Sequence, residues 1–177
     1  MRQRIFIIIG IAAVALVAAT AALAGTLTTT ATVTGTAGIS LNLPSNPSIT
    51  DTLDGTDQTA TYAPLLGVID ARGTGAGWNL QISATTFSDG AGHTLAPGTV
   101  TAAVQACQGG STCTAATNSG ITLPLTISGT AAKFFNAATT TGLGKLNVTP
   151  TVQVAIPGSS YAGTYTSTVT LAATTGP

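Results

Sequence analysis

The 177-residue chain carries very little charge: 6% of its residues are charged, and the formal net charge at pH 7 is zero. An average soluble domain has about 25% charged residues. All acidic residues are Asp, and two of the five bases, Arg2 and Arg4, lie at the very start. So few cations cannot neutralise a run of phosphates, which excludes nucleic acid as an expected partner. The length favours one domain, and abundant Thr with no Glu favours an all-β fold.

Residues 1–24 have the features of a secretory signal peptide. Arg2 and Arg4 give a positive start, residues 5–19 form an uncharged apolar run, and Ala22-Leu23-Ala24 is a small-x-small pattern. We expect cleavage after Ala24 and a secreted protein that lies outside the cell or on the cell-wall surface. Contact with the membrane is then expected only through this segment, before cleavage. The alternative is an uncleaved segment that stays as a membrane anchor.

The first predicted strands follow in residues 25–71, at the start of the single domain expected over 25–177. Apolar residues alternate with Thr over residues 26–36, which predicts a strand with a hydroxyl-rich outer face. Residues 39–43 alternate again and end at Pro44. Residues 65–71 form a short apolar run of the length typical of a strand.

Residues 77–87 give the clearest strand pattern in the sequence. Trp78, Leu80, Ile82 and Ala84 fall on one face, and polar residues fall on the other. Phe87 breaks the alternation, which indicates a bulge or the end of the strand. Trp78 lies on the apolar face, so it is interpreted as a core residue rather than a platform for a ligand.

Three further strands are predicted in the second half of the chain, over residues 100–105, 121–127 and 145–156. Pro150 lies in the apolar row of the third, which predicts an edge strand or a bulge because proline lacks an N–H for the ladder. A final strand places Tyr161, Tyr165, Val169 and Leu171 in phase. These short strands, separated by Gly, Pro, Asn and Asp, predict an antiparallel β-sandwich, immunoglobulin-like or related, with a closed barrel as the alternative.

Cys107 and Cys113 enclose a five-residue loop between two predicted strands. An even number of cysteines in an exported chain indicates a disulfide. A metal pair is the weaker interpretation, because two thiolates with no nearby His make a poor zinc site. A redox pair is disfavoured because the spacing is not Cys-x-x-Cys.

His93 is the only histidine, so any imidazole chemistry depends on it. Ser88 and Asp89 lie close to it in sequence, but the segment is rich in glycine and reads as a turn rather than as the rigid support that a nucleophile needs. The sequence therefore nominates no catalytic residue, and we expect no enzymatic activity.

Asp51, Asp54 and Asp57 recur every three residues around Gly55. Carboxylate oxygens are calcium ligands, but this spacing is not that of an EF-hand loop. Asp is also common in turns, where it accepts hydrogen bonds from its own backbone. We expect no metal and no cofactor, with a calcium loop as the alternative for this cluster.

Two segments carry a family resemblance. Residues 77–85 read Gly-Trp-Asn-Leu-Gln-Ile-Ser-Ala-Thr, which resembles the first Trp-x-Leu motif of the WxL-domain surface proteins. Residues 156–158, Ile-Pro-Gly, and residues 161–171, Tyr-Ala-Gly-Thr-Tyr-Thr-Ser-Thr-Val-Thr-Leu, are similar to the closing strand of that family. By this resemblance Trp78 and Leu80 match the first motif, as residues of the core or of a wall contact.

The resemblance implies a β-rich domain that associates non-covalently with the bacterial cell wall. The second Trp-x-Leu motif is absent, because the corresponding residues 169–173 read Val-Thr-Leu-Ala-Ala. Expected partners are peptidoglycan or other surface proteins. A Thr-rich first strand and low charge suggest a second hypothesis: a structural subunit that self-associates by pairing at a strand edge.

Overall fold

The computed structural model describes residues 29–177, so the predicted signal peptide and the first residues after it lie outside the described range. Val33–Pro177 form a compact unit. Within the described part of the chain, no helix is long and apolar enough to span a membrane. The strands are β1 (Ile39–Asn42), β2 (Gln58–Tyr62), β3 (Leu66–Asp70), β4 (Trp78–Ala84), β5 (Phe87–Ser88), β6 (Thr94–Leu95), β7 (Thr99–Cys107), β8 (Leu125–Thr126), β9 (Ala132–Ala137), β10 (Gly144–Ile156) and β11 (Val169–Thr175).

The larger sheet is antiparallel and is built around β10, which has 13 residues. The strand order is β1-β3-β10-β7-β8, and β2 also pairs with β10. Along one side of β10, β3 pairs with residues 144–148 and β2 pairs with residues 152–156. Along the other side lies β7, which pairs with residues 146–153 and so overlaps the ranges of both β3 and β2.

Pro150 lies where β10 has a partner on the β7 side alone, opposite Ala103. The ladder with β7 shifts register between Thr151 and Val152. Of the two predicted alternatives, an edge strand or a bulge, the structure shows the second: β10 is a central strand whose ladder is irregular next to Pro150. A proline fits this central strand because it falls in the gap between β3 and β2.

The smaller sheet has the order β11-β4-β9, with β4 in the centre. A separate hairpin pairs β5 with β6. The break in alternation at Phe87 is explained by this arrangement, because β4 ends at Ala84 and Phe87 begins the hairpin. The two main sheets pack on each other, which confirms the all-β antiparallel sandwich.

One hydrophobic core lies between the sheets. Side chains from both sheets are almost fully buried there, with exposures of 7% or less. The larger sheet contributes apolar residues of β3, β7 and β10, and the smaller sheet contributes those of β4 and β9. The largest buried side chains are Trp78, Phe134, Phe135, Leu66, Leu80 and Leu146.

Several predicted strands differ in the structure. The described part of the strand predicted over 26–36, residues 29–36, is not a strand, and its one backbone hydrogen bond among the described residues is from Thr36 N to Ala71 O. Only Leu125–Thr126 of the predicted strand 121–127 is a strand. Tyr161 and Tyr165 lie in the connection before β11 rather than in the last strand.

Candidate functional site

Trp78 and Leu80 lie in the core. Their side chains are 0% and 1% exposed. The indole Nε1 of Trp78 donates a hydrogen bond of 2.9 Å to the carbonyl of Gly142, and its ring lies 5.9 Å from that of Phe135. An indole buried with its N–H paired is a core anchor. The structure therefore places the Trp-x-Leu motif inside the sandwich and not on its surface.

The residues that stand where a second Trp-x-Leu motif is expected lie beside the first. Leu171 pairs with Ile82, and Ala173 pairs with Leu80, across the β11–β4 ladder. Leu171 and Ala173 are partly buried against the core. Smaller apolar side chains on β11 thus cover the strand that carries Trp78 and Leu80. Leu171 and Ala173 therefore pack beside the core.

Cys107 and Cys113 form a disulfide, with 5.6 Å between their Cα atoms. Cys107 is the last residue of β7, and the loop turns at a hydrogen bond from Ser111 N to Gln108 O. The Cβ that a side chain at Gly144 would add lies 3.4 Å from Cys113 Cβ, so the loop packs on the start of β10. The disulfide therefore holds a loop at one end of the larger sheet.

Asp89 and His93 lie together in the β5–β6 hairpin. One carboxylate oxygen of Asp89 contacts His93 Nδ1 at 2.5 Å, and the other accepts the amides of Ala91 and His93. The hydrogen bond from His93 lowers the pKa of the Asp89 carboxyl below its usual value. Ser88 Oγ accepts from Gly90 N instead of meeting the imidazole. The structure therefore brings Asp89 and His93 together in a turn, and Ser88 does not contact the imidazole.

The three aspartates of residues 51–57 serve the backbone separately. Asp51 accepts from Thr52 N, and Asp54 accepts from both the amide and the hydroxyl of Thr56. The hydrogen bonds from Thr56 lower the pKa of Asp54. Asp57 accepts from Gly158 N across the molecule. Within residues 29–177, no group of three His, Cys, Asp or Glu side chains is placed to hold a metal ion.

A surface cavity of about 440 Å³ lies between two loops at one end of the fold. We call it the aromatic groove. The connection between β1 and β2 forms one wall, and the connection between β10 and β11 forms the other. Its lining comprises Ile49, Asp51, Thr52, Leu53, Phe87, Leu95, Val154, Ile156, Ser160, Tyr161, Ala162, Gly163 and Tyr165. Ligand sites are typically clefts of this size, about 300–1,000 Å³, with apolar walls and a few polar groups.

The two walls of the groove are fastened to each other and to the hairpin. Gly158 N donates to Asp57, and a Cβ at Gly158 would lie 2.6 Å from the carbonyl oxygen of Gly55. On the hairpin side, Ser88 and Thr166 exchange two backbone hydrogen bonds of 2.9 Å. The groove walls are thus held by one hydrogen bond to a side chain, that of Asp57, and by two backbone hydrogen bonds.

Tyr161 is the exposed aromatic residue of the groove. Its side chain is 63% exposed, although its ring stacks on His93 with 3.8 Å between centroids and 16° between planes. Tyr165 donates a hydrogen bond from its hydroxyl to the carbonyl of Tyr161. The Tyr161 ring is thus held on one side by His93, which Asp89 holds in turn.

A second cavity of about 470 Å³ shares Ile49 and Phe87 with the groove, so these two residues separate adjoining spaces. In the part of the chain that the structure describes, neither space is lined by Lys or Arg, and Asp51 is the one charged residue of the two linings. Three large apolar residues that are unusually exposed, Ile49, Tyr161 and Val169, border these spaces.

The groove was not foreseen from the sequence. Its residues come from positions 49–53, 87–95 and 154–165, and no spacing connects these segments. The one available signal was the pair of tyrosines at 161 and 165, which the alternation assigned to a strand. The aromatic rings of these two tyrosines, rather than their spacing, were the sequence feature that pointed to a surface groove.

The architecture is that of an all-β sandwich domain with a buried Trp-x-Leu segment in the central strand of its smaller sheet. The chain matches, over residues 27–177, the family model described as WxL domain, surface cell wall-binding. It therefore belongs to the WxL domain family of surface cell wall-binding proteins. No curated protein matches the chain significantly.

Proposed function

We propose that this protein is a secreted, non-enzymatic component of the cell envelope that binds peptidoglycan without a covalent bond. Membership of the WxL family carries the proposal, because that family binds the cell wall and its model covers residues 27–177. The described residues add support. Asp89 and His93 are engaged in a turn and in stacking on Tyr161, and Ser88 is held by the backbone.

Co-sedimentation with purified peptidoglycan tests this proposal. We expect the purified protein to pellet with sacculi that have been stripped of proteins and of anionic wall polymers, in moderate salt. The protein is close to neutral, so its binding should change little as salt rises. A protein that stays in the supernatant, beside a known wall binder that pellets, would contradict the proposal.

A second function is favoured by the N-terminal segment. The segment predicted as a strand over residues 26–36 is not a strand in its described part: its one backbone hydrogen bond among the described residues is from Thr36 N to Ala71 O, and Val33 is 92% exposed. An unpaired segment of this kind is suited to adding a strand to the sheet edge of another copy. In this alternative the protein is a structural subunit that self-assembles on the surface.

Sedimentation velocity over a range of concentrations tests the alternative. Self-association is expected to grow with concentration and to be lost in Val33→Lys, which places a charge in the segment without touching the core. Gly38→Ser is a matched control, since a Cβ there meets nothing within 4 Å. Monomers at every concentration would remove self-assembly as a function.

A further inference from the structure

We propose that the aromatic groove is the binding site for an uncharged glycan chain, with the Tyr161 ring as the surface on which a sugar stacks. This inference rests on the proposed wall-binding function and assigns it to a place on the molecule. The Trp-x-Leu residues are buried in the core, so the contact with polymer must be made by other side chains. The groove supplies one exposed aromatic ring, that of Tyr161, together with apolar side chains and the polar groups of Asp51 and Ser160.

The aromatic ring at the rim is unusual in being both exposed and fixed. Fixing a side chain costs conformational entropy, and at 63% exposure few packing contacts are normally available to offset that cost. Here His93 stacks on the ring, and Asp89 in turn orients the imidazole. A ring that is already immobilised loses little conformational entropy when a ligand packs on it. Asp89 and His93 are therefore positioning residues, and Tyr161 is the residue that touches the sugar.

The polar groups at the rim match hydroxyl and amide groups. Asp51 accepts the amide of Thr52 with Oδ1, which leaves Oδ2 as an acceptor for a ligand O–H or N–H. Ser160 brings a hydroxyl to the same cavity. Pyranose rings have apolar C–H faces and polar edges, so they fit a site in which an aromatic ring meets hydroxyl and carboxylate groups.

Charge decides between the two main kinds of wall polymer. Among residues 29–177, no Lys or Arg lines either cavity, and the groove contains the carboxylate of Asp51. A polyanion such as a teichoic acid would meet no cation there, and Asp51 would repel it. The uncharged N-acetylated amino sugars of a peptidoglycan strand meet no such penalty. The groove therefore fits the glycan backbone and not the anionic polymers.

Titration with a soluble β-1,4-linked N-acetylglucosamine oligomer tests the site directly, by calorimetry or by chemical-shift mapping. We expect the oligomer to bind and to shift signals of residues 49–53 and 160–165. Tyr161→Ala should weaken binding roughly tenfold, which is the effect of losing one aromatic stack. Tyr161→Phe keeps the ring and should bind like the wild type. Val104→Ala removes an equally exposed apolar side chain on β7, outside the groove, and should have no effect.

The positioning role has its own readout. His93→Ala keeps the Tyr161 side chain but removes the imidazole on which it stacks. We therefore expect weaker binding of the oligomer, and broadened or shifted Tyr161 resonances in the free protein. Tyr161→Ala and His93→Ala both replace side chains at the surface, and a cooperative unfolding transition followed by Trp78 fluorescence shows that each variant is folded. Unchanged binding in Tyr161→Ala overturns the groove assignment.

Pelleting with sacculi separates this inference from the proposed function. If the wild type pellets and Tyr161→Ala pellets equally, wall binding stands and the groove is not the site. If the wild type does not pellet, wall binding fails, and the oligomer titration decides on the groove by itself. Stronger binding to a polyglycerol phosphate than to the oligomer would overturn the assignment to an uncharged glycan.

Discussion

At Gly142 the backbone passes so close to Trp78 that there is no room for a side chain. A Cβ at this position would lie 2.5 Å from Ala137 Cβ and 2.7 Å from Trp78 Nε1, and the residue has a φ of +70°. The Gly142 carbonyl also accepts the indole hydrogen bond. We therefore expect Gly142→Ala to lower the free energy of unfolding by about 2–4 kcal/mol, from overpacking and from the left-handed backbone.

Denaturant unfolding followed by tryptophan fluorescence measures this directly, because Trp78 is the single tryptophan. Gly129→Ala is the control, since a Cβ there meets nothing within 4 Å. The control should unfold like the wild type or slightly later. If Gly142→Ala is as stable as this control, the close approach at Trp78 is not a constraint on the fold.

The Trp-x-Leu motif shows what a single residue pattern predicts and what it leaves open. Alternation assigned Trp78 and Leu80 to the apolar face of a strand, and both are buried in the core. Sequence could not place Tyr161, because its ring stacks on His93, which in turn contacts Asp89, in a hairpin about 70 residues away. Local periodicity reports burial well, but it does not report contacts between loops that are distant in sequence.

An ion pair joins the end of β3 to the start of β4, where the chain passes from one sheet to the other. Arg72 donates to both carboxylate oxygens of Asp70 at 2.8 Å and to the carbonyl of Gly77 at 2.7 Å. The side chains of Arg72 and Asp70 are 7% and 0% exposed. The hydrogen bonds from Arg72 hold the pKa of Asp70 below its usual value. The stabilisation is therefore full above the unfolded pKa of about 3.9 and is lost as the pH falls through the folded pKa.

Asp70→Asn should lower the free energy of unfolding at pH 7 by about 3–5 kcal/mol, because it leaves the buried Arg72 without its partner. The variant should also lose less stability than the wild type between pH 5 and pH 3. Denaturant unfolding at several pH values tests both effects. Asp51→Asn is the control, because that carboxylate is exposed and should change stability by about 0.5 kcal/mol or less. A steeper acid dependence in Asp70→Asn would contradict the argument.

At the level of elements, the sequence predicted the strands that are long and bury one face. β4, β7 and β10 follow their alternation closely. β9 was missed because Phe134 and Phe135 are consecutive and both buried, which breaks the period of two. Residues 29–36 show the opposite error: they alternate but have no partner strand in the described chain. Alternation shows which side chains would face the core, but a strand also needs a partner strand, and that partner comes from another part of the chain.

On the scale of the whole molecule, the antiparallel sandwich could be predicted from composition and turn spacing, but the strand order could not. β10 pairs with three strands from different parts of the chain, and β4 pairs with β9 and β11. Such long-range pairing is determined by how the two sheets pack around one core. This cannot be read from any short stretch of sequence. The aromatic groove depends on the same long-range order, because its walls are the connections that meet at one end of the sandwich.

The pairing of β4 with β11 also has a consequence for how the domain folds. β4 is the central strand of the smaller sheet, and one of its two neighbours is the last strand of the domain, Val169–Thr175. As a chain emerges from the ribosome, β4 has an open edge until nearly all the residues that follow it have been made. Contacts of high sequence separation form slowly, because the intervening loop must close first. The nascent chain therefore lacks one of the two neighbours of β4 until late in its synthesis, and the smaller sheet is completed last.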